Sequence, residues 1–123
     1  MTQIRKILIA EDELIIARVM KKVLERFDFE VCQVSDGPEA IKAAANFKPD
    51  LVILDIHLQN KSCGILAGKE IRKAGSACPI VFTTGNSFEE SQKEIADVPD
   101  SHLFIKPIDT EELVKFIRTL KTP

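Results

Sequence analysis

The chain has 123 residues, a formal charge of −2 and 45% apolar residues. This length is enough for one domain with a core of its own, and five glycines and six prolines without a repeated tract exclude collagen-like and disordered chains. The near balance of 17 basic and 19 acidic side chains argues against direct binding of nucleic acid.

The cysteines and the apolar runs indicate the compartment. Cys32, Cys63 and Cys78 are odd in number and widely spaced, which is typical of reduced thiols and not of a disulfide framework or a zinc site. The first apolar run stops at Glu11, too early for a signal peptide, and no run approaches the roughly 20 residues that cross a bilayer. We therefore expect a cytoplasmic protein without a membrane partner.

Five short apolar segments alternate with longer segments of helical spacing. The apolar segments, which are the predicted strands, span residues 4–10, 30–34, 51–55, 80–84 and 103–105. Four of them are almost continuously apolar, which is typical of parallel strands buried on both faces, whereas the mixed second segment suits a strand near an edge. The alternation predicts an α/β fold, a doubly wound (βα)5 parallel sheet with helices on both faces.

The helical segments carry start signals. Asp36 with Glu39, and Ser87 with Glu90, fit capping boxes, and Asp109 or Thr110 can cap the last helix. In the first helical segment, residues 13–27, the apolar residues form one broad stripe that we expect to face the core. This stripe consists of Leu14, Ala17, Val19, Met20, Val23, Leu24 and Phe27.

Polar residues follow the carboxyl ends of four predicted strands. Glu11 and Asp12 follow the first strand, Asp55 ends the third, Thr84 ends the fourth, and Lys106 follows the fifth. Because the carboxyl ends of parallel strands share one edge of the sheet, the sequence predicts that these side chains gather there.

Three neighbouring carboxylates repel each other. At a separation of ~4 Å and an effective dielectric constant near 20, each pair costs about 4 kcal/mol. Lys106 offers one positive charge against three negative ones, which leaves room for a divalent cation, and carboxylates, a backbone carbonyl and water suit Mg²⁺. Such an ion would neutralise an incoming phosphoryl group. Asp55 is central in the predicted group and is the candidate nucleophile for that group.

The sequence resembles the receiver domain of two-component response regulators, the family of the chemotaxis response regulator. The matching segments are IAEDE (9–13), DGPEAI (36–41), KPDLVILDI (48–56), GI (64–65), PIVFTTG (79–85) and FIKPI (104–108). They cover almost the whole chain in order. The resemblance implies one receiver domain over residues 1–123, with a flavodoxin-like sheet in the strand order 2-1-3-4-5.

The resemblance also implies the chemistry of the site. Asp55 would accept a phosphoryl group from a histidine kinase or a histidine phosphotransfer protein, so the domain would be no enzyme beyond its own phosphorylation and dephosphorylation. Thr84 would bond a phosphoryl oxygen, and Lys106 would pair with the phosphate and precede a cis Pro107. The implied Mg²⁺ ligands are Glu11, Asp12, Asp55 and the backbone carbonyl of His57.

Further expectations from the resemblance concern the output. The fourth helix, fifth strand and fifth helix would bind a downstream protein or output domain, and the protein would be a monomer or a phosphorylation-dependent dimer. Leu103 stands where the family usually has an aromatic switch residue, and strand alternation points Phe104 to the other face. His57 and Asn86 occupy positions that tune hydrolysis of the aspartyl phosphate.

Two other classes of function stay open at this point. A pseudo-receiver would bind partners without phosphorylation. A haloacid-dehalogenase-like phosphatase would also use a strand-end aspartate with Mg²⁺, but its D-x-D pattern would require an acid where this chain has His57.

Overall fold

Five parallel strands and five helices alternate along the described part of the chain. The computed structural model describes residues 3–58 and 63–120. The strands are β1 (Lys6–Ala10), β2 (Glu30–Val34), β3 (Leu51–Asp55), β4 (Ile80–Thr84) and β5 (Ser101–Ile105). The helices are α1 (Leu14–Arg26), α2 (Gly37–Phe47), α3 (Cys63–Lys73), α4 (Phe88–Ile95) and α5 (Thr110–Thr119). The sheet has the order β2-β1-β3-β4-β5, which confirms the predicted fold and strand order.

The sheet separates two apolar layers, as both faces of its central strands are buried. On one face, Ile7 and Ile53 pack with residues of α1 and α5 such as Leu24 and Ile117. On the other face, side chains of β1, β3 and β4 pack with residues of α2, α3 and α4. Every residue of β3 and β4 is buried, as expected for parallel strands covered on both sides.

Two predicted strand boundaries differ from the structure. β1 begins at Lys6, although Ile4 before it is buried in the same apolar layer. β5 begins at Ser101, two residues earlier than predicted, because Ser101 pairs with Ile80 along the edge of β4. The end of a strand depends on its backbone pairing. Ser101 has a polar side chain, so the apolar pattern of the sequence did not indicate that its backbone pairs with β4.

The apolar stripe of α1 is narrower than predicted. Ala17, Met20 and Leu24 are buried, but Leu14 and Val19 are 54% and 55% exposed, so the expectation that these two face the core is wrong. At 100° per residue, Val19 lies about 200° around the helix from Ala17 and therefore points away from the sheet. Ile15, outside the predicted stripe, is 80% exposed.

The predicted helix caps are present. Asp36 Oδ1 accepts a hydrogen bond from the Glu39 amide at 2.8 Å, and Ser87 Oγ accepts one from the Glu90 amide at 3.3 Å. Asp109, and not Thr110, caps α5 by accepting hydrogen bonds from the Glu111 and Glu112 amides. These caps fix the first residues of α2, α4 and α5, and so also the ends of the loops that lead to them from the carboxyl edge of the sheet.

Among the described residues, Cys32 and Cys78 are free, and the reduced state of the thiols stays a prediction. The side chain of Cys63 lies outside what the structure describes. Within residues 3–58 and 63–120, the structure has no helix of the length and hydrophobicity that a membrane span requires.

Candidate functional site

Asp55 lies at the carboxyl end of the central strand β3, between β1 and β4. Its side chain is almost buried, at 7% exposure. One carboxylate oxygen, Oδ1, accepts a hydrogen bond from the His57 amide at 3.0 Å, and Oδ2 lies 2.9 Å from Lys106 Nζ. These two contacts hold the Asp55 carboxylate at the carboxyl edge of the sheet.

Lys106 follows β5, and its side chain extends to the carboxylates of Glu11 and Asp55. Its Nζ lies 2.8 Å from Glu11 Oε1 as well as 2.9 Å from Asp55 Oδ2, and its backbone amide donates to the Thr84 carbonyl at 2.7 Å. Burial by itself lowers the pKa of Lys106, but hydrogen bonds to Glu11 and Asp55 and their charges outweigh burial and raise the pKa above its usual value. Lys106 is therefore a fixed positive charge, and its bond to Pro107 is cis, as expected.

Glu11, Asp12 and Asp55 come together as the sequence predicts. One carboxylate oxygen from each lies within 4.8 Å of the other two. The pKa of Glu11 is raised to about 7, because burial and the neighbouring charge of Asp55 raise it by more than the hydrogen bond from Lys106 lowers it. The donor set fits Mg²⁺, because it consists of hard oxygens whose negative charge exceeds that of the single ammonium group.

Thr84 is completely buried at the end of β4. Its Oγ1 accepts a hydrogen bond from the Asn86 amide at 3.0 Å and another from Ser91 Oγ at 3.4 Å. Ser91, on α4, was not singled out from the sequence. Its spacing of four residues from Ile95 places both on one helix face, and that pattern was the available signal for its burial.

His57 and Asn86 are brought into contact at the same edge of the sheet. Asn86 Nδ2 lies 2.9 Å from His57 Nε2, so with the amide nitrogen donating, the ring nitrogen accepts. Both residues follow site residues by two positions, since His57 follows Asp55 and Asn86 follows Thr84. Their expected influence on phosphate lifetime stays a prediction.

Gly64 on α3 lets the helix approach the site closely. A Cβ atom at this position would overlap the backbone oxygen of Asp55. The Gly64 amide donates to the Ile56 carbonyl at 3.2 Å. In the sequence, Gly64 stands out only as part of a matching segment. The reason for a glycine here is its contact with the backbone of β3, which is visible only in the folded structure.

Leu103 and Phe104 occupy opposite faces of β5, as strand alternation predicts. Leu103 packs against the apolar layer under α2, α3 and α4. Phe104 packs in the other layer, where its ring meets that of Phe116 edge to face at 5.4 Å. Phe104 therefore cannot take the place of an aromatic residue at position 103, because it lies in the opposite apolar layer.

Comparison with known proteins shows the family. The family model for the response regulator receiver domain matches residues 7–118. The chain belongs to this family. It is 33% identical over 109 residues to the alkaline phosphatase synthesis transcriptional regulatory protein PhoP of Bacillus subtilis, covering 89% of this chain and 45% of that protein. The chain thus spans about half the length of the curated relatives it matches.

Solved structures agree with the family and the fold. A CheY-like receiver domain from Methylobacillus flagellatus superposes with a TM-score of 0.83 at 26% identity, covering 97% of this chain and all of that one. The receiver domain of the sensor histidine kinase PA1611 from Pseudomonas aeruginosa superposes with a TM-score of 0.82 at 25% identity, covering 94% and 95%. That receiver was solved with a magnesium ion coordinated in its active-site cleft.

Proposed function

We propose that this domain receives a phosphoryl group on Asp55 and changes its binding to a protein partner as a result. A carboxylate oxygen of Asp55 forms the new bond to phosphorus while the bond from phosphorus to an imidazole nitrogen of the donor breaks, and that nitrogen keeps the electron pair. The observation that carries the proposal is the Lys106 ammonium group, which lies within 2.9 Å of both Glu11 and Asp55. It places positive charge where the phosphoryl oxygens would arrive.

The acidic group would hold Mg²⁺ through Glu11, Asp12, Asp55 and the backbone carbonyl of His57. The ion, when bound, supplies positive charge that stabilises the phosphoryl oxygens during transfer. The family membership and the cluster of oxygens within 4.8 Å support this assignment. Lys106 alone cannot balance the acids and the phosphoryl group, because it carries a single charge.

Thr84 would donate its hydroxyl hydrogen to a phosphoryl oxygen. Both acceptor positions of Oγ1 are filled in the structure, by the Asn86 amide and the Ser91 hydroxyl, which leaves the hydrogen for another acceptor. One hydrogen bond to a charged group is worth about 1.5–3 kcal/mol. Full reversal of a 1:99 equilibrium needs about 5.5 kcal/mol, so Lys106 must share the response with Thr84.

The phosphodonor would approach over the exposed apolar face of α1. Ile15, Val19 and Ile108 line an apolar groove that continues directly to Pro107 and Lys106. Since Lys106 also contacts Asp55, a donor seated in this groove would reach the acceptor. We assign the groove to the apolar surface of the histidine kinase or phosphotransfer protein next to the phosphohistidine.

The output face would consist of α4, β5 and α5. Phe88 and Ile105 are the large apolar side chains exposed on it, at 51% and 37% exposure. Phe116 and Leu120 are instead packed against the layer that contains Phe104. The downstream target, the absence of direct nucleic-acid binding and a dimer formed on phosphorylation stay predictions.

Intact mass spectrometry after incubation with acetyl phosphate and Mg²⁺ tests the proposed function. Wild type should gain one phosphoryl group, and both chelation of Mg²⁺ and the Asp55→Asn variant should abolish the gain. Asp97→Asn is the matched control, because Asp97 is an exposed acid outside the group around Lys106, and it should behave as wild type. Phosphorylation of Asp55→Asn, or none of wild type, would overturn the proposal, and the second result would favour a pseudo-receiver.

A further inference from the structure

Ser91 is a buried hydroxyl residue in a mostly polar and exposed helix. Its neighbours Glu89, Glu90, Gln92 and Lys93 are exposed, whereas Ser91 has no exposed surface. A buried hydroxyl group needs a hydrogen-bond partner, because leaving one unpaired costs about 1–3 kcal/mol. Its hydroxyl donates to Oγ1 of Thr84.

This contact is long in the structure. The two oxygens lie 3.4 Å apart, compared with about 2.7–2.8 Å for the commonest hydroxyl hydrogen bonds. The Asn86 amide, at 3.0 Å, occupies the other acceptor position of Thr84. Because the contact with Ser91 is the longer of the two, it has room to shorten.

We propose that Ser91 is a positioning residue that couples Thr84 to α4 when Asp55 is phosphorylated. This rests on the proposed function. When Thr84 donates its hydrogen to a phosphoryl oxygen, its own oxygen becomes a stronger acceptor, since hydrogen bonds in a chain polarise one another. The bond from Ser91 then shortens and draws α4 toward the end of β4.

Helix α4 is suited to respond to this small change. Of its eight residues, only Ser91 and Ile95 are buried, so few side chains hold it on the sheet. Its first turn is held by the Ser87 cap, which does not involve Thr84. A change at Ser91 therefore acts on a large part of the buried contact between α4 and the core.

The test compares Ser91→Ala with Ser87→Ala, which removes the capping hydroxyl of the same helix without touching Thr84. Beryllofluoride with Mg²⁺ serves as the phosphoryl mimic, and amide hydrogen exchange of α4 measures the response. In Ser91→Ala, we expect acetyl phosphate still to phosphorylate Asp55, while the change in α4 exchange falls by about fivefold. Ser91→Thr keeps the hydroxyl and should restore the response. Ser87→Ala raises the basal exchange of α4 by removing its cap, but the change caused by beryllofluoride should equal that of wild type.

A double-mutant cycle separates coupling from a merely structural role. If Ser91 acts through Thr84, then Thr84→Val and the double variant with Ser91→Ala should show the same residual response. Additive losses, an undiminished response in Ser91→Ala, or an equal loss in Ser87→Ala would each overturn the inference. Absence of both phosphorylation and beryllofluoride binding in wild type would instead overturn the proposed function, and this inference with it.

Discussion

Glu11 ionises at a higher pH than an exposed glutamate because burial removes water from its carboxylate. Its pKa rises from 4.5 to about 7, although Lys106 lies 2.8 Å away. The ion pair with Lys106 does not bring the pKa of Glu11 back to its ordinary value. Lys106 is shared with Asp55, and the negative charge of Asp55 disfavours ionisation of a second carboxylate beside it. Ionised Glu11 is thus a cost to folding when no cation is bound.

The pH dependence of stability should show this cost. The folded state binds the Glu11 proton more tightly than the unfolded chain does, so the free energy of unfolding falls as the pH rises from 4.5 to about 7. Glu11→Gln removes this titration. In urea denaturation without Mg²⁺, the variant should gain stability relative to wild type between about pH 5 and about pH 8. A stability difference that is independent of pH would contradict the raised pKa.

At the scale of elements, the approach of α3 to β3 depends on Gly64. A side chain there would meet the backbone of Asp55, which belongs to a buried strand and cannot move without disturbing both apolar layers. The helix and the candidate acceptor are therefore coupled through the backbone. This close packing explains why a glycine is present inside the first turns of a helix, where its conformational freedom is otherwise unfavourable.

Gly64→Ala should therefore destabilise the protein by about 1–3 kcal/mol, the usual cost of an overpacked core. Gly85→Ala is the matched control, because a Cβ at Gly85 meets nothing within 4 Å, and its effect should stay within about 0.5 kcal/mol. Urea denaturation measures both. Equal stability of the two variants would show that α3 can move away from Asp55 without loss.

Over the whole molecule, the proposed function assigns docking of the phosphodonor to the exposed apolar face of α1 and acceptance of the phosphoryl group to Asp55. Ile15 is 80% exposed and contributes little to the core, but it lines the groove that leads to Lys106. Ile15→Ser should slow phosphorylation by a protein donor about tenfold, equivalent to ~1.4 kcal/mol of lost binding, and leave the rate with acetyl phosphate unchanged.

Leu66→Ser is the matched control for this prediction. Leu66 is 59% exposed on α3, outside the groove, so its replacement should leave both rates as in wild type. A purified histidine kinase or phosphotransfer protein that phosphorylates wild type provides the assay. Equal transfer to Ile15→Ser and wild type would place the donor elsewhere on the domain.

The order of elements and the composition of the site could be predicted from the sequence. Strands as apolar as β3 and β4 must be buried on both faces, which requires helices on both sides of a parallel sheet. The carboxyl ends of such strands share one edge, and this rule alone brings Asp55, Thr84 and Lys106 to one place. Capping at Asp36 and Ser87 was equally predictable, because a cap is made within four residues of the chain.

Contacts between distant segments were decided only by the tertiary structure. The narrow buried stripe of α1, the start of β5 at Ser101, and the link from Ser91 to Thr84 all depend on which surfaces meet. The pKa of Glu11 depends likewise on the depth of its carboxylate and on a lysine 95 positions away. Local patterns specify which residues can form a site, whereas burial and the distances across the sheet determine how their charges and hydroxyl groups act on each other.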